Sequence, residues 1–424
     1  MSLKLDPISI EIFWSRLVSI VDEVAVALLR TSFSNVVRDA EDFSVAMFDS
    51  AGNLLAQGTS SIPSHLGAMP NVVKHFLNVF PPHKLAPGDA IVTNDPWIGN
   101  GHLEDVFVAT PVFHRGKLVA FSLNIVHHCD VGGRYGTSES REIFEEGLRI
   151  PISKLCRAGE PNEDIFNIIA ANVRAPDKVI GDINAQLAAN HVGSTRLLQF
   201  LEEQGWDDLD HLAREIFDRP EAAMRASIQE LPDGTYRREF IGEEVGTSGN
   251  PITIKVAVTI NGSDIHVDYT GTSPQEDKAI NVAFNYTYAH TVFGLKAAIN
   301  PFILNNAGSL RCFKVTAPEG CILNPRFPAA LFWRIPIGHM LPEMVFQTLA
   351  SVIPEQVMAG NGSTPLSTIA FNGDEISGRR FVDIIFFNGG LGARSDRDGV
   401  SCLAYPANIS NSSVEIMENE APLL

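Results

Sequence analysis

The sequence predicts an α+β fold: a large, elaborated chain with a metal site at the end of a β-hairpin in its N-terminal half, and a β-rich C-terminal half. Three observations carry that expectation. Within residues 7–31, Ile10, Phe13, Leu17, Ile20, Val21, Val24 and Leu28 fall mostly three or four apart, the helical period. Residues 106–113 and 118–126 are apolar runs rich in Val, Phe and Ile around the turn His114-Arg115-Gly116-Lys117, the pattern of a hairpin. Beyond residue 231 long helical stretches give way to short alternating ones.

The remaining elements follow in order. Residues 42–49 alternate, Ser50-Ala51-Gly52-Asn53 turns the chain, and a strand resumes at Leu54, so another hairpin starts at Asp42. Residues 68–79 read as a helix stopped by Pro81-Pro82, and 88–93 as a short strand leading into the segment Asn94-Asp95-Pro96 through Asp105. Residues 162–205 read as helix and 213–231 as another, closed by the turn Pro232-Asp233-Gly234. Residues 253–260 and 265–269 alternate on either side of Asn261-Gly262, a strand pair; 283–298 read as a buried helix and 339–353 as a further one. Gly389-Gly390-Leu391-Gly392 lacks the following helix and lysine of a phosphate cradle, and reads as a tight turn or close backbone packing. The turn at 232–234 divides an N-terminal metal-binding region, 1–231, from a C-terminal α+β region, 232–424.

With 424 residues, 45% hydrophobic and 19% charged, the chain can bury a substantial core. A formal net charge of −18 without a long basic run would repel a nucleic-acid backbone. Five scattered cysteines with no C-x-x-C pair argue for a reducing cytosol rather than a disulfide framework. The N-terminus runs straight into the amphipathic helix rather than into a signal peptide. No apolar run reaches the roughly 18 residues of a membrane span. These features together predict a soluble, cytoplasmic protein.

Chemistry concentrates at the open end of the 106–126 hairpin. If Arg115 and Gly116 are the central turn residues, a regular register opposes Asp105 to Val126 and Glu104 to His127, with opposed Cβ atoms about 4.5–5.5 Å apart. His127 then returns close to Asp105, where His102 also sits, in a loop that Gly99 and Gly101 leave free to wrap an ion. A lone strand histidine is more often packed or solvent-facing; two imidazoles and a carboxylate converging on one strand end suit a divalent metal. His127 and His128 are adjacent in extended chain and point to opposite faces, so His127 is the preferred ligand and His128 lies behind it or lines the pocket. Asp130 and His128 are candidates to orient water or carry its proton. The facial triad of non-haem iron oxygenases runs H-x-D, whereas the spacing here is H-x-x-D. Ser61 and Ser64 near His65, and Cys129 beside His128, lack both a nucleophile elbow and an orienting partner, which argues against nucleophilic catalysis.

In this context the chain resembles the B-type subunits of the hydantoinase/oxoprolinase family, which include N-methylhydantoinase B, caprolactamase β and subunits of acetone and acetophenone carboxylases. The resemblance runs along essentially the whole chain. It rests on the Asp42-Phe43-Ser44 segment, Ile62-Pro63-Ser64-His65-Leu66-Gly67-Ala68-Met69-Pro70, Thr93 through Asp105, and His127 through Gly133. Further on it includes Glu146-Gly147-Leu148-Arg149-Ile150-Pro151, Gly181-Asp182 to Asn190, Gly271-Thr272-Ser273-Pro274-Gln275, Ala317-Pro318-Glu319-Gly320 and the 389–392 glycines.

The resemblance implies a metal held by His102, Asp105 and His127 with Asp42 as fourth ligand, the ion being zinc, manganese or iron. It also implies a larger A-type partner that binds ATP with magnesium and phosphorylates the substrate, in keeping with the lack of a P-loop here. The expected function is therefore ATP-dependent hydrolysis of a cyclic amide (a hydantoin, lactam or 5-oxoproline-like ring) in a hetero-oligomer, a metal-activated water attacking the phosphorylated substrate. The alternatives are a subunit of an ATP-dependent ketone carboxylase and a non-catalytic scaffold with a structural metal. Two departures stand out. His128-Cys129-Asp130 replaces the more usual His-Ala-Asp, and relatives continue well past the equivalent of Glu415-Ile416-Met417-Glu418, whereas this sequence ends at Leu424, so a C-terminal segment is expected to be missing.

Overall fold

The computed structural model describes residues 6–242, 249–361, 366–374, 378, 380–410, 413, 415, 416 and 418. Residues 1–5, expected to lead into the first helix, lie outside them, as do Met417 and residues 419–424 at the C-terminal end. Helix α1 (Pro7–Thr31) spans the expected residues, with Pro7 in its first turn and the Asp6 carboxylate accepting from the amides of Ile8 and Ser9, both at 3.0 Å. Short α2 (Asn35–Arg38) leads into the first hairpin, β1 (Phe43–Asp49) and β2 (Leu54–Gln57). Helix α3 (Pro63–Val79) starts at Pro63 rather than at 68, because a proline in the first turn gives up no hydrogen bond. Then come β3 (Ala90–Thr93), β4 (Asp105–His114), β5 (Lys117–His127), α4 (Ile143–Glu146), β6 (Ser153–Arg157) and β7 (Glu160–Pro161).

These strands form one antiparallel sheet in the order β2-β1-β5-β4-β3-β6-β7, so the chemically rich hairpin is its centre. All of β5 beyond Lys117 is buried. Its register departs from the regular one. Phe113 faces Leu118, but Val112 faces Ala120, leaving Val119 as an extra residue. Val119 and Ala120 both enter the core under α1, whereas Leu118 and Phe121 enter the core under α3. Two successive side chains on one face are the mark of a β-bulge. The expected register is thus corrected by one: Asp105 opposes His127 directly, and Val106 opposes Val126.

The helix expected over 162–205 is two, α5 (Glu163–Asn172) and α6 (Pro176–Gln204). The break falls at Val173-Arg174-Ala175, since a proline disfavours the helical conformation in the residue before it. Helix α6 lies across β4 and β5, where a Cβ on Gly193 would stand 2.6 Å from Ser122 Oγ. Buried amides fasten it there: Gln186 Nε2 donates to the Val106 carbonyl and Asn190 Nδ2 to that of Val108, each at 2.9 Å.

After α7 (Asp210–Gln229) the chain forms a second sheet from β8 (Gly234–Ile241), β9 (Thr253–Asn261), β10 (Asp264–Asp268) and β11 (Phe313–Thr316), in the order β11-β10-β9-β8. Strand β8 is an edge strand exposed over Arg237, Arg238 and Glu239, so it shows no apolar alternation and escapes sequence reading. Helix α8 (Phe284–Ile299) packs on α3, and a Cβ on Gly67 would lie 2.3 Å from Ala289 Cβ, a near backbone-to-backbone contact between the halves. Short α9 (Ala307–Leu310) and α10 (Ile335–Gly338) precede α11 (Leu341–Leu349), which together with α10 replaces the helix expected over 339–353. Among the described residues, strands β12 (Leu366–Asp374) and β13 (Arg380–Asn388) pair only with each other. The loop after β13 is closely packed backbone: a Cβ on Gly392 would fall 1.8 Å from the Ala359 carbonyl oxygen. Among the described residues no helix is long and apolar enough to cross a membrane.

Candidate metal centre

Three neighbouring strand ends deliver the charged groups. Asp105 opens β4, His127 closes β5 opposite it, and Asp42 directly precedes β1, its carbonyl accepting from the His127 amide at 3.0 Å. His102 arrives on the loop before β4. Asn94 stitches that loop from inside, Nδ2 donating to the carbonyls of Leu103 and Leu148 at 2.7 and 2.9 Å while Oδ1 accepts from Ile150 at 2.6 Å. Gly101 turns it at φ +82°, a conformation open to glycine at little cost.

The side chains converge. His102 Nε2 lies 2.7 Å from Asp105 Oδ2, and His127 Nδ1 lies 3.3 Å from Asp105 Oδ1 and 3.8 Å from Asp42 Oδ2. One ligand atom each from His102, Asp105 and His127 falls within 4.8 Å of the others. All four side chains are buried. Yet among the described residues His102 Nε2 and Asp105 Oδ1 have no hydrogen-bond partner. Unpaired buried polar atoms are costly, and atoms that approach without bonding each other are arranged as ligands of a common ion would be.

Electrostatics agree with a cation at this point. Burial by itself would lower the His127 pKa, but the carboxylates of Asp42, Asp105 and Glu104 outweigh it and push it up to about 9. Burial drives His102 down to about 3, with Arg334 adding to the effect, so its imidazole is neutral as a ligand must be. Burial opposes ionisation of Asp105, but His102 and His65 hold it well below the ordinary carboxylate range. Burial raises Asp42 to about 6, against the pull of His127. Two imidazoles and two carboxylates form a donor set that fits zinc, manganese or iron(II) alike.

Several groups around the centre were not anticipated from sequence. Glu104 stands 3.1 Å from His102 Nδ1, and among the described residues both its oxygens lack hydrogen-bond partners. Asn100 Nδ2 donates to Asp105 Oδ2 at 2.5 Å. His65 places Nε2 3.8 Å from Asp42 and 3.7 Å from Asp105. Arg334, only 3% exposed, donates through Nε to the Asn100 carbonyl at 2.8 Å and through Nη2 to Asp105 at 3.4 Å, with its guanidinium 4.4 Å over the Tyr286 ring. Among the described residues its Nη1 has no partner. Arg334, His65, His339 and Tyr286 line the space at the metal centre with the four candidate ligands, and Thr368, Ala370, Ile384 and Phe386 of the β12–β13 hairpin roof it. That space is about 50 Å³, room for a few waters.

The two proton-handling candidates lie elsewhere. His128 points away from His127, its Nε2 3.1 Å from Gln186 Oε1 on α6. Asp130 is occupied by Gly132 and by the backbone and guanidinium of Arg174. Neither lines the metal cavity. Cys129 is fully buried, which pushes its thiol up to about 12, so no thiolate nucleophile is available there.

Glu146 at the end of α4 braces the segment that carries Arg334: its Oε1 accepts from the amides of Leu331 and Phe332 at 2.7 and 2.9 Å. Burial raises its pKa from 4.5 to about 8. A carboxyl whose folded-state pKa is raised contributes stability that is complete below about pH 4.5 and is lost as pH climbs towards 8. Glu146→Gln keeps the accepting oxygen and cannot ionise. Urea unfolding of the two proteins is expected to show the wild type losing on the order of 2–4 kcal/mol more than the variant between pH 5 and 8.5. Parallel pH dependences would refute the assignment.

A buried His/Asp/His group on the central hairpin of a mixed α+β chain defines a candidate metalloprotein subunit. The hydantoinase B/oxoprolinase family profile matches residues 6–424, and the chain belongs to that family. It is 32% identical, over 99% of its length and 74% of the relative's, to a protein of Pseudomonas sp. (strain NS671) provisionally named as the B-type subunit of a D-/L-hydantoinase. The crystal structure of ATP-dependent caprolactamase from Pseudomonas jessenii superposes with a TM-score of 0.90 at 29% identity, covering 98% of this chain and 73% of that one. Acetone carboxylase in its nucleotide-free form shares the fold, with a TM-score of 0.87 at 19% identity over 98% of this chain and 58% of that one.

Proposed function

We propose that the chain is the metal-carrying B-type subunit of an ATP-dependent cyclic amide hydrolase, acting on a ring that an A-type partner activates by phosphorylation. The observation that carries this reading is the convergence of His102, Asp105 and His127, with Asp42 alongside, beneath a buried arginine that has a free donor. Kinship with hydantoinase and caprolactamase chains supports the substrate class, and the hydantoinase relative's being named as one subunit of its enzyme supports a hetero-oligomer.

His102, Asp105, His127 and Asp42 would hold the ion. A divalent cation bound there supplies Lewis acidity, polarising a carbonyl and lowering the pKa of water towards about 7. The surrounding residues do the rest. Asn100 and Arg334 fix the Asp105 carboxylate. The free Nη1 of Arg334 can take an anionic oxygen of the activated substrate in a charge-assisted hydrogen bond. His65, held by burial down to about 4, remains neutral beside the carboxylates of Asp42 and Asp105.

The test is co-expression with an A-type partner and an assay of ring opening on hydantoins, lactams and 5-oxoproline. The expected result is hydrolysis that needs ATP and both chains but not bicarbonate. Turnover only with bicarbonate and a ketone would establish the carboxylase instead, and full activity of the A-type chain alone would leave this chain a scaffold.

A further inference from the structure

Two histidines outside the ligand set stand ring to ring next to the metal cavity. His339, directly after α10, is buried and forms part of the cavity wall. Its Nδ1 is sealed from solvent and, among the described residues, has no hydrogen-bond partner, which leaves Nε2 as the ring nitrogen open to the cavity. His290, on α8, is 1% exposed, and both its ring nitrogens are sealed and without a partner among the described residues. The two ring centroids are 5.2 Å apart. Tyr286, one turn earlier on α8, braces both rings: its centroid lies 4.4 Å from that of His290 and 6.3 Å from that of His339, on which it stacks at 16°. Unpaired buried nitrogens are costly, and water does not reach these three. A neutral imidazole carries one N–H and one lone pair, so each ring can supply what the other lacks. At this separation a turn about the Cβ–Cγ bonds brings a nitrogen of one ring within roughly 3 Å of a nitrogen of the other.

We propose that His290 donates a hydrogen bond to His339 Nδ1, fixing His339 as the neutral tautomer with its proton on Nε2, and that this N–H donates to the substrate oxygen on which negative charge collects. His290 is then a positioning residue, and His339 is the group that touches substrate. In a neutral imidazole the nitrogen that accepts a bond leaves the other to carry the proton. Burial holds both rings neutral: His290 lies well below the ordinary histidine range, and His339 is driven down to about 3, with Arg334 adding to the effect. His339 therefore brings a donor to the cavity without bringing a second charge beside Arg334. The proton stays on Nε2 throughout. The catalytic half of this assignment rests on the function proposed above; the tautomer does not, and its test needs no substrate, metal or partner chain.

The tautomer is read by nitrogen NMR of the whole chain with isotope-labelled histidine, the His339 signals being assigned by their loss in His339→Phe. At neutral pH the wild type should show a protonated Nε2 and a hydrogen-bonded, unprotonated Nδ1. In His290→Phe, which keeps a ring and removes both nitrogens, the Nδ1 signal should move downfield to the position of an unbonded nitrogen. Should that variant fail to fold, the wild-type spectrum suffices, since a proton on Nδ1, a cationic ring or an unbonded Nδ1 would each overturn the proposal. In the assembled enzyme His339→Phe should lower kcat about a hundredfold with KM and metal content little changed. His339→Gln, whose amide nitrogen can take the place of Nε2, should recover part of that loss. Wild-type kcat in His339→Phe would overturn the catalytic half, and an unmoved Nδ1 signal in His290→Phe the positioning one.

Discussion

Replacing His102 with alanine is expected to remove the metal and turnover of the assembled enzyme together. The imidazole is neutral and buried, contributes no charge to the fold, and meets Asp105 at 2.7 Å without a hydrogen bond. Its loss should therefore spare the sheet and cost the ion. Elemental analysis should find about one equivalent per wild-type chain and little in the variant. If the ion supplies roughly 4 kcal/mol of transition-state stabilisation, kcat/KM should fall by about 10³. The neighbouring substitution His128→Ala is the control, since that ring faces Gln186 on α6: it should cost stability and keep the metal. A metal-free His102→Ala enzyme with wild-type turnover would dispose of the catalytic role.

Arg334→Met should do the reverse, keeping the ion and losing the reaction. The guanidinium is the permanent cation over Asp105, buried against Tyr286, and removing one member of a buried ion pair costs about 3–5 kcal/mol. A bound divalent ion can compensate Asp105, so the metal-loaded variant should recover most of that stability. It cannot replace the free Nη1, so kcat/KM for the phosphorylated substrate should fall by roughly 10² while metal stoichiometry holds. Denaturation with and without metal, together with steady-state kinetics, separates the two effects. Unchanged kcat/KM would mean that Arg334 serves the fold alone.

What could be read from the sequence was local. The helix over 7–31, the hairpins beginning at 42 and 106, and the pair around Asn261-Gly262 each carry their own period and turn, and all are found. What went unread depends on partners far along the chain. Strand β8 has a polar exposed face and is held in place only by pairing with β9. Arg334 approaches Asp105 from 229 residues away, and nothing around it in the sequence signals that destination. His65, Glu104 and Asn100 all stood inside segments already singled out, but single-chain spacing does not say which way a loop residue faces. The same limit misplaced Asp130, whose carboxylate is taken up by Arg174 from the α5–α6 break.

The extra residue at Val119 reaches further than its place near the hairpin tip suggests. It lies eight residues along β5 from His127, about 27 Å at the rise of an antiparallel strand. If β5 were ironed flat, the same sequence would set His127 across from Glu104, on the far side of the sheet from Asp105, and would bring His128 round to the ion instead. Two adjacent histidines thus compete for one position, and a packing choice between a valine and an alanine at the opposite end of the strand decides between them. A one-residue insertion or deletion in β5 between Val119 and His127 should accordingly be destructive, an effect that metal retention would reveal.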